Sequence, residues 1–191
     1  AAKLIADPQV RNRGTIGGDI AHGDPGNDHP ALSIAIDASF VLEGPNGRRT
    51  VAADGFFLGT YMTLLEENEV MCEIRVPAFA PGTGSAYEKL KRKTGDWATA
   101  GCAVVIRKSG DQVSHVRIAL TNVAPTALRA EAAEAALLNK PFSAANVQAA
   151  VDAAIAICDP AEDLRGDIEY KTAMAGEMVK RALNKAWSRC A

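Results

Sequence analysis

Aromatic side chains are scarce, 5% of 191 residues, and neither sign of charge dominates. The chain has 21 Lys and Arg against 23 Asp and Glu, a net charge of −2. Such a near-neutral chain has no broad electrostatic footprint for nucleic acid or an anionic membrane surface. Its basic run, Lys89 to Lys93, is short and lacks interleaved aromatics. No apolar run approaches the roughly 20 residues of a membrane span. The four cysteines, at 72, 102, 158 and 190, include no C-x-x-C pair and fit neither iron–sulfur nor zinc spacing. Three of them lie in apolar patterns and are expected to be small buried hydrophobes. That usage suits a reducing, cytoplasmic setting. Neither a Ser/His/Asp nor a Cys/His constellation can be placed, and no carboxylates pair at a believable spacing. A chain without its own nucleophile or acid–base pair suits a redox role, in which a cofactor carries the chemistry.

What is present is concentrated early. Residues 11–30 hold five glycines and two prolines. The β-branched Thr15 and Ile16 predict a strand running into a turn at Gly17 and Gly18. Asp19 to Ala21 predicts a short helical turn leaving it. Glycines there permit positive φ and let a ligand approach the main chain without meeting a Cβ. Freed N–H groups in such a turn suit a phosphate. A plain Gly turn between strand and helix is the competing reading. The spacing is neither G-x-G-x-x-G nor a P-loop, since no Lys-Ser/Thr pair follows. His22, Asp24, Asp28 and His29 match no metal-ligand spacing.

Further along, a Pro/Gly stretch from Pro77 to Gly84 predicts a linker. Before it, Asn27 or Asp28 should cap a short helix through Ile36, with Pro30 in its first turn. Strands are expected at Ser39–Glu43 and Arg48–Ala52, joined by a Pro45-Asn46-Gly47 turn. Val70, Cys72, Ile74 and Val76 should share one face of another strand, opposite Met71, Glu73 and Arg75. After the linker, strands at Gly101–Arg107 and Val113–Val123 flank a Ser109-Gly110-Asp111 turn. Helices are expected at Thr126–Leu138, Ala144–Cys158 and Thr172–Trp187. The simplest architecture for this half is a small antiparallel sheet backed by helices.

Several segments together resemble the flavoprotein subunits of molybdenum hydroxylases. Arg11 to Asp19, followed by Gly23-Asp24-Pro25-Gly26-Asn27-Asp28, is similar to the second FAD motif of that family. Tyr87 to Ala100 narrows the likeness to the medium subunits of the aerobic carbon monoxide dehydrogenase type. Ile118 to Ala124, Ile168 to Lys171 and Met174-Ala175-Gly176 extend it towards the C-terminus. The resemblance implies an α+β fold. Residues 1–79 would be the C-terminal part of a PCMH-type FAD-binding domain. Residues 83–191 would be the flavoprotein C-terminal domain, a small antiparallel sheet packed with helices. Relatives carry an earlier Gly-rich loop of the form A-G-G-x-S-L, which this sequence lacks. The chain is therefore expected to be part of a longer subunit and to supply one side of the FAD diphosphate clamp.

The resemblance also implies site residues. Thr15, Ile16, Gly17, Gly18 and Asp19 would form the diphosphate loop. Relatives often have Asn at the position of Asp19, and a carboxylate there must turn away or bond a hydroxyl. Asp28 would bind FAD hydroxyls, or cap the helix at Pro30. Met71 would pack along the flavin, or simply within a sheet. Lys89 would place a cation near the flavin N1–C2=O edge, or be solvated with Lys91, Arg92 and Lys93. Trp97, where close relatives have Tyr, would cover one face of the ring; Ile5 would lie nearby. The implied partners are a large subunit with a Mo–Cu–pterin centre and a small subunit with [2Fe–2S] clusters, assembled as a dimer of heterotrimers. Electrons would leave to quinone or another acceptor, and the assembly would sit in the cytoplasm or at the inner face of the cell membrane. A xanthine, aldehyde or N-heterocycle hydroxylase flavoprotein, or an assembly fragment without FAD, are the alternatives.

Overall fold

A computed structural model describes residues 1–190. The N-terminal segment is helical in short pieces. A 3₁₀ turn at Ala2–Leu4 precedes α1 (Pro8–Arg13). Asp7 accepts from the Val10 amide, and Pro8 opens the helix where its missing N–H costs nothing. Thr15 and Ile16 form no strand. Thr15 caps α2 (Ile16–His22) through a bond from the Gly18 amide, and Gly23 ends the helix at φ +66°. A cap at one end and a left-handed glycine at the other outweigh the β-propensity of two residues. Neither Gly17 nor Gly18 has positive φ. Asn27 then precedes α3 (Asp28–Ala35), with Pro30 inside its first turn.

Next come β1 (Ser39–Gly44), β2 (Gly47–Ala52), β3 (Phe57–Gly59), β4 (Met62–Thr63) and β5 (Val70–Arg75). They make a β2-β1-β5 antiparallel sheet and a two-stranded β3-β4 ribbon. The expected alternation along β5 fails. Val41 pairs with Glu73 but Leu42 pairs with Met71, so Cys72 is a bulged, unpaired residue. The bulge turns both Met71 and Ile74 toward the core and leaves Val70 and Cys72 exposed.

After an exposed stretch at 76–81 comes a four-stranded sheet in the order β6-β7-β8-β9. Its strands are β6 (Thr83–Leu90), β7 (Ala100–Ser109), β8 (Gln112–Thr121) and β9 (Leu128–Arg129). Then follow α4 (Glu131–Leu137), α5 (Ala144–Ile155) and α6 (Ile168–Trp187). The helix expected from Thr126 therefore begins five residues later. Leu128 and Arg129 pair with β8 instead, and the Arg129 guanidinium grips Glu134 and Asp54.

The sheet is covered on both faces, which is why β7 is buried from Ala100 to Ile106. Cys102, Val104, Ile106, Ile118 and Leu120 face α4, α5 and α6. Tyr87, Ala103, Val105 and Ala119 face the other way, against Ile34, Phe40 and Phe56 of the first half. Phe40 and Phe56 meet edge to face, 4.7 Å apart. Of the cysteines, Cys102 and Cys190 are buried, Cys158 is half-buried and Cys72 is exposed.

Candidate functional site

The start of α2 is open. The Gly18 amide is taken by Thr15 Oγ1 at 3.0 Å and the Asp19 amide by the Thr15 carbonyl. The Ile16 and Gly17 amides have no partner among the described residues. A Cβ at Gly17 would meet nothing within 4 Å, whereas one at Gly18 would lie 3.0 Å from Thr15 Oγ1. Free amides at a helix start, with room in front of them, fit an anionic group. Asp19 does not oppose one, because its carboxylate is turned to His29, 2.7 Å from Nδ1.

Asp19 of the same helix lines a cleft of about 150 Å³, walled also by Ile5, Asp28, Lys89 and Trp97 among others. Lys89 is not solvated. Its Nζ pairs with Asp28 Oδ2 at 2.7 Å, and the two side chains are only 2% and 3% exposed. Asp28 Oδ1 accepts from the Tyr87 hydroxyl at 2.5 Å. Burial, then the adjoining Asp28 charge, pushes the Tyr87 phenol well above its ordinary pKa, so it stays a donor. Lys89 also meets the Leu4 carbonyl at 3.5 Å, which Lys91 shares at 3.1 Å, and Arg92 pairs with Asp96.

Trp97 is 48% exposed and stands between this cleft and a larger cavity of about 640 Å³. Its position is fixed from several sides. The Trp97 amide donates to Asp96 Oδ1. The Arg165 guanidinium lies over the indole, 5.5 Å from the ring centre, and also pairs with Asp96 at 2.9 Å. A Cβ at Gly26 would come 2.8 Å from the ring, so only glycine admits the indole there. Burial pushes the Asp96 carboxyl up, but bonds from Arg165 and Arg92 outweigh it and hold it below its usual range. Two residues of the larger cavity, Tyr61 and Asn122, have φ near +60°.

The structure thus brings Asp19, Asp28, Lys89, Trp97 and Ile5 to one cleft, with Thr15 to Gly18 beside it through Asp19 on the same helix. Met71 is half-buried on β5 and does not line the cleft. His22, Asp24, Asp28 and His29 turn to different partners: Tyr61, the Gly26 amide, Lys89 and Asp19. Sequence reasoning missed Tyr87, Asp96 and Arg165 as site-forming residues. For Tyr87 a signal existed, since it sits two residues from Lys89 on the same face of β6. For Arg165, 69 residues from Asp96, no local pattern could supply one.

Residues 1–79 match the FAD binding domain in molybdopterin dehydrogenase, and residues 85–186 match the CO dehydrogenase flavoprotein C-terminal domain. The carbon monoxide dehydrogenase medium chain of Hydrogenophaga pseudoflava is 84% identical over 191 residues, which is 100% of this chain and 67% of that one. The medium chain of Afipia carboxidovorans is 50% identical over 186 residues, 97% of this chain and 65% of that one. A solved carbon monoxide dehydrogenase from H. pseudoflava, lacking the Mo-pyranopterin moiety of its cofactor, superposes with a TM-score of 0.98. It shares 87% identity and covers 99% of this chain and 66% of its own. The chain thus spans about two thirds of the length of these relatives. Its two matched domains, its fold and this level of identity establish that it belongs to the family of FAD-binding medium chains of molybdopterin dehydrogenases, of the carbon monoxide dehydrogenase type.

Proposed function

We propose that this chain holds FAD in a molybdenum hydroxylase that oxidises CO with water to CO2, releasing two protons and two electrons. In this reading a large subunit carries the Mo–Cu–pterin centre and a small subunit the [2Fe–2S] clusters, in a dimer of heterotrimers. The electrons reach FAD in this subunit and leave to a quinone or another acceptor. The division into 1–79 and 83–191 belongs to the same reading and is supported by the exposed stretch at 76–81.

The observation that carries the flavin assignment is the open start of α2 beside the buried Asp28–Lys89 pair. When bound, FAD supplies the two-electron redox chemistry. The chain's own residues hold and orient it. The Ile16 and Gly17 amides donate to the diphosphate, and the open space at Gly17 lets that group reach the backbone. Asp28 keeps a carboxylate at the cleft wall for hydroxyl groups. Lys89 keeps a cation there, which favours an electron-rich ring edge. Trp97 offers an aromatic face and excludes water from one side.

Visible absorption of the assembled complex, with FAD added, tests this. Oxidised-flavin bands are expected with the natural chain. Gly17→Ala separates binding from folding. In a helical first turn with nothing near the new methyl group, it should stabilise the fold by about 0.5–1 kcal/mol. The same methyl group blocks the approach to the amides and should weaken FAD binding at least about tenfold, roughly the worth of one lost charge-assisted bond. Undiminished flavin affinity in Gly17→Ala would refute the assignment.

A further inference from the structure

Tyr87, Asp28 and Lys89 come from two elements and meet, with their side chains largely buried, at the wall of the cleft. Tyr87 is 7% exposed, Asp28 3%, and the Lys89 side chain 2%. Each Asp28 oxygen has its own donor: the Tyr87 hydroxyl at 2.5 Å on Oδ1 and the Lys89 ammonium at 2.7 Å on Oδ2. Thr121 Oγ1 lies 3.2 Å from the Tyr87 oxygen, placed to donate to it. Room for the phenol comes from Gly101, the partner of Lys89 across β6 and β7. A Cβ at Gly101 would lie 2.8 Å from the Tyr87 hydroxyl and 3.1 Å from Thr121 Cβ. Stability alone does not call for this arrangement, because buried ion pairs are commonly matched or bettered by packed apolar side chains. Both members of the pair also line the cleft.

We infer that Tyr87 is a positioning residue for Lys89, its hydroxyl sharing Asp28 with the ammonium so that the cation keeps charge to offer the cleft. This rests on the FAD reading of the cleft. With the hydroxyl present, Asp28 divides its negative charge between two donors. Without it, the carboxylate is left to Lys89 alone and draws the ammonium inward, away from a ligand. Lys89 then discriminates less between an electron-rich ligand and a neutral one. Tyr87 need not touch the ligand to produce this effect.

Tyr87→Phe tests the inference with two readouts. The first needs no flavin: the ¹H–¹⁵N signal of the Lys89 ammonium in the full chain. It should shift, and its exchange with water should slow. The second compares FAD affinity in the reduced and oxidised states of the assembled complex. The preference for reduced flavin should fall about threefold to tenfold, the size of a partial loss of one bond to a charged group. A purely structural Tyr87 would weaken both states equally and leave the ratio intact, which overturns the inference. So does an unmoved Lys89 signal, or a ratio that Lys89→Met changes and Tyr87→Phe does not. Thr121→Val, which removes the support behind the phenol, should move both readouts the same way by less, and serves if Tyr87→Phe folds poorly. A natural complex that takes up no FAD defeats the flavin reading by itself, while the ammonium signal still decides whether Tyr87 governs Lys89.

Discussion

Replacing Lys89 by Met removes one half of an ion pair whose two side chains are 2% and 3% exposed. Methionine fills much of the same volume, so the dominant loss is electrostatic rather than a cavity. Asp28 would remain buried with only the Tyr87 hydroxyl as donor. Breaking a buried pair by removing one partner costs about 3–5 kcal/mol, because the remaining charge loses its counter-charge without regaining water. For a domain of this size that corresponds to a fall in melting temperature of about 6–20 °C. Asp28→Asn alone should cost a similar amount, since it strands the ammonium. The two together should cost far less than their sum, with a coupling of about 2 kcal/mol or more, because neither charge is then left behind. Urea unfolding of the four proteins at neutral pH, with slopes compared, gives the cycle. Single costs below about 1 kcal/mol, or costs that simply add, would refute a desolvated pair and with it the charged wall of the cleft.

Two further outcomes follow from particular contacts. The bond from Arg49, reinforced by the Glu66 amide, holds the Glu69 carboxyl at about 2, against an ordinary value of 4.5. A lowered carboxyl stabilises the fold above the ordinary value and loses that contribution as pH falls towards the folded one. Acid titration of stability should therefore show a Glu69-dependent loss from about pH 4.5 down to about 2, and Glu69→Gln should flatten that limb. Gly84→Ala should destabilise by about 1–3 kcal/mol or more, read by calorimetry, because overpacking against backbone cannot be relieved by a rotamer change. The new Cβ would press on the Ala186 carbonyl and lie 2.8 Å from the Cys190 amide, at the end of α6.

Local pattern carried most of the element list. The paired strands β1 and β2, the β7–β8 hairpin and helices α5 and α6 all follow from alternation, turn residues and helical spacing. It failed where a local preference met a stronger partner. Thr15 and Ile16 prefer strands as residues, yet Thr15 as a cap begins a helix. Thr126 to Ala130 continues an Ala-rich run, yet Leu128 and Arg129 gain a strand partner in β8. Along β5 one bulged residue, Cys72, reversed the faces. Bulges depend on the neighbouring strand and leave little mark on their own sequence.

The sequence by itself determined the family and the α+β class, because motif residues and apolar patterning reside in short runs of the chain. Through the family resemblance it also named Asp28 and Lys89 as candidate site residues. Only the tertiary structure decided what they are to each other. Asp28 and Lys89 are 61 residues apart and meet because α3 packs across the sheet that carries β6. That packing expelled water and made a surface-looking lysine into half of a buried pair. It also gave the Tyr87 hydroxyl a carboxylate to hold, and set Arg165 over Trp97 from 68 residues further along the chain. Such contacts arise from the burial of two separate apolar faces against one sheet, and no local window of sequence contains both partners.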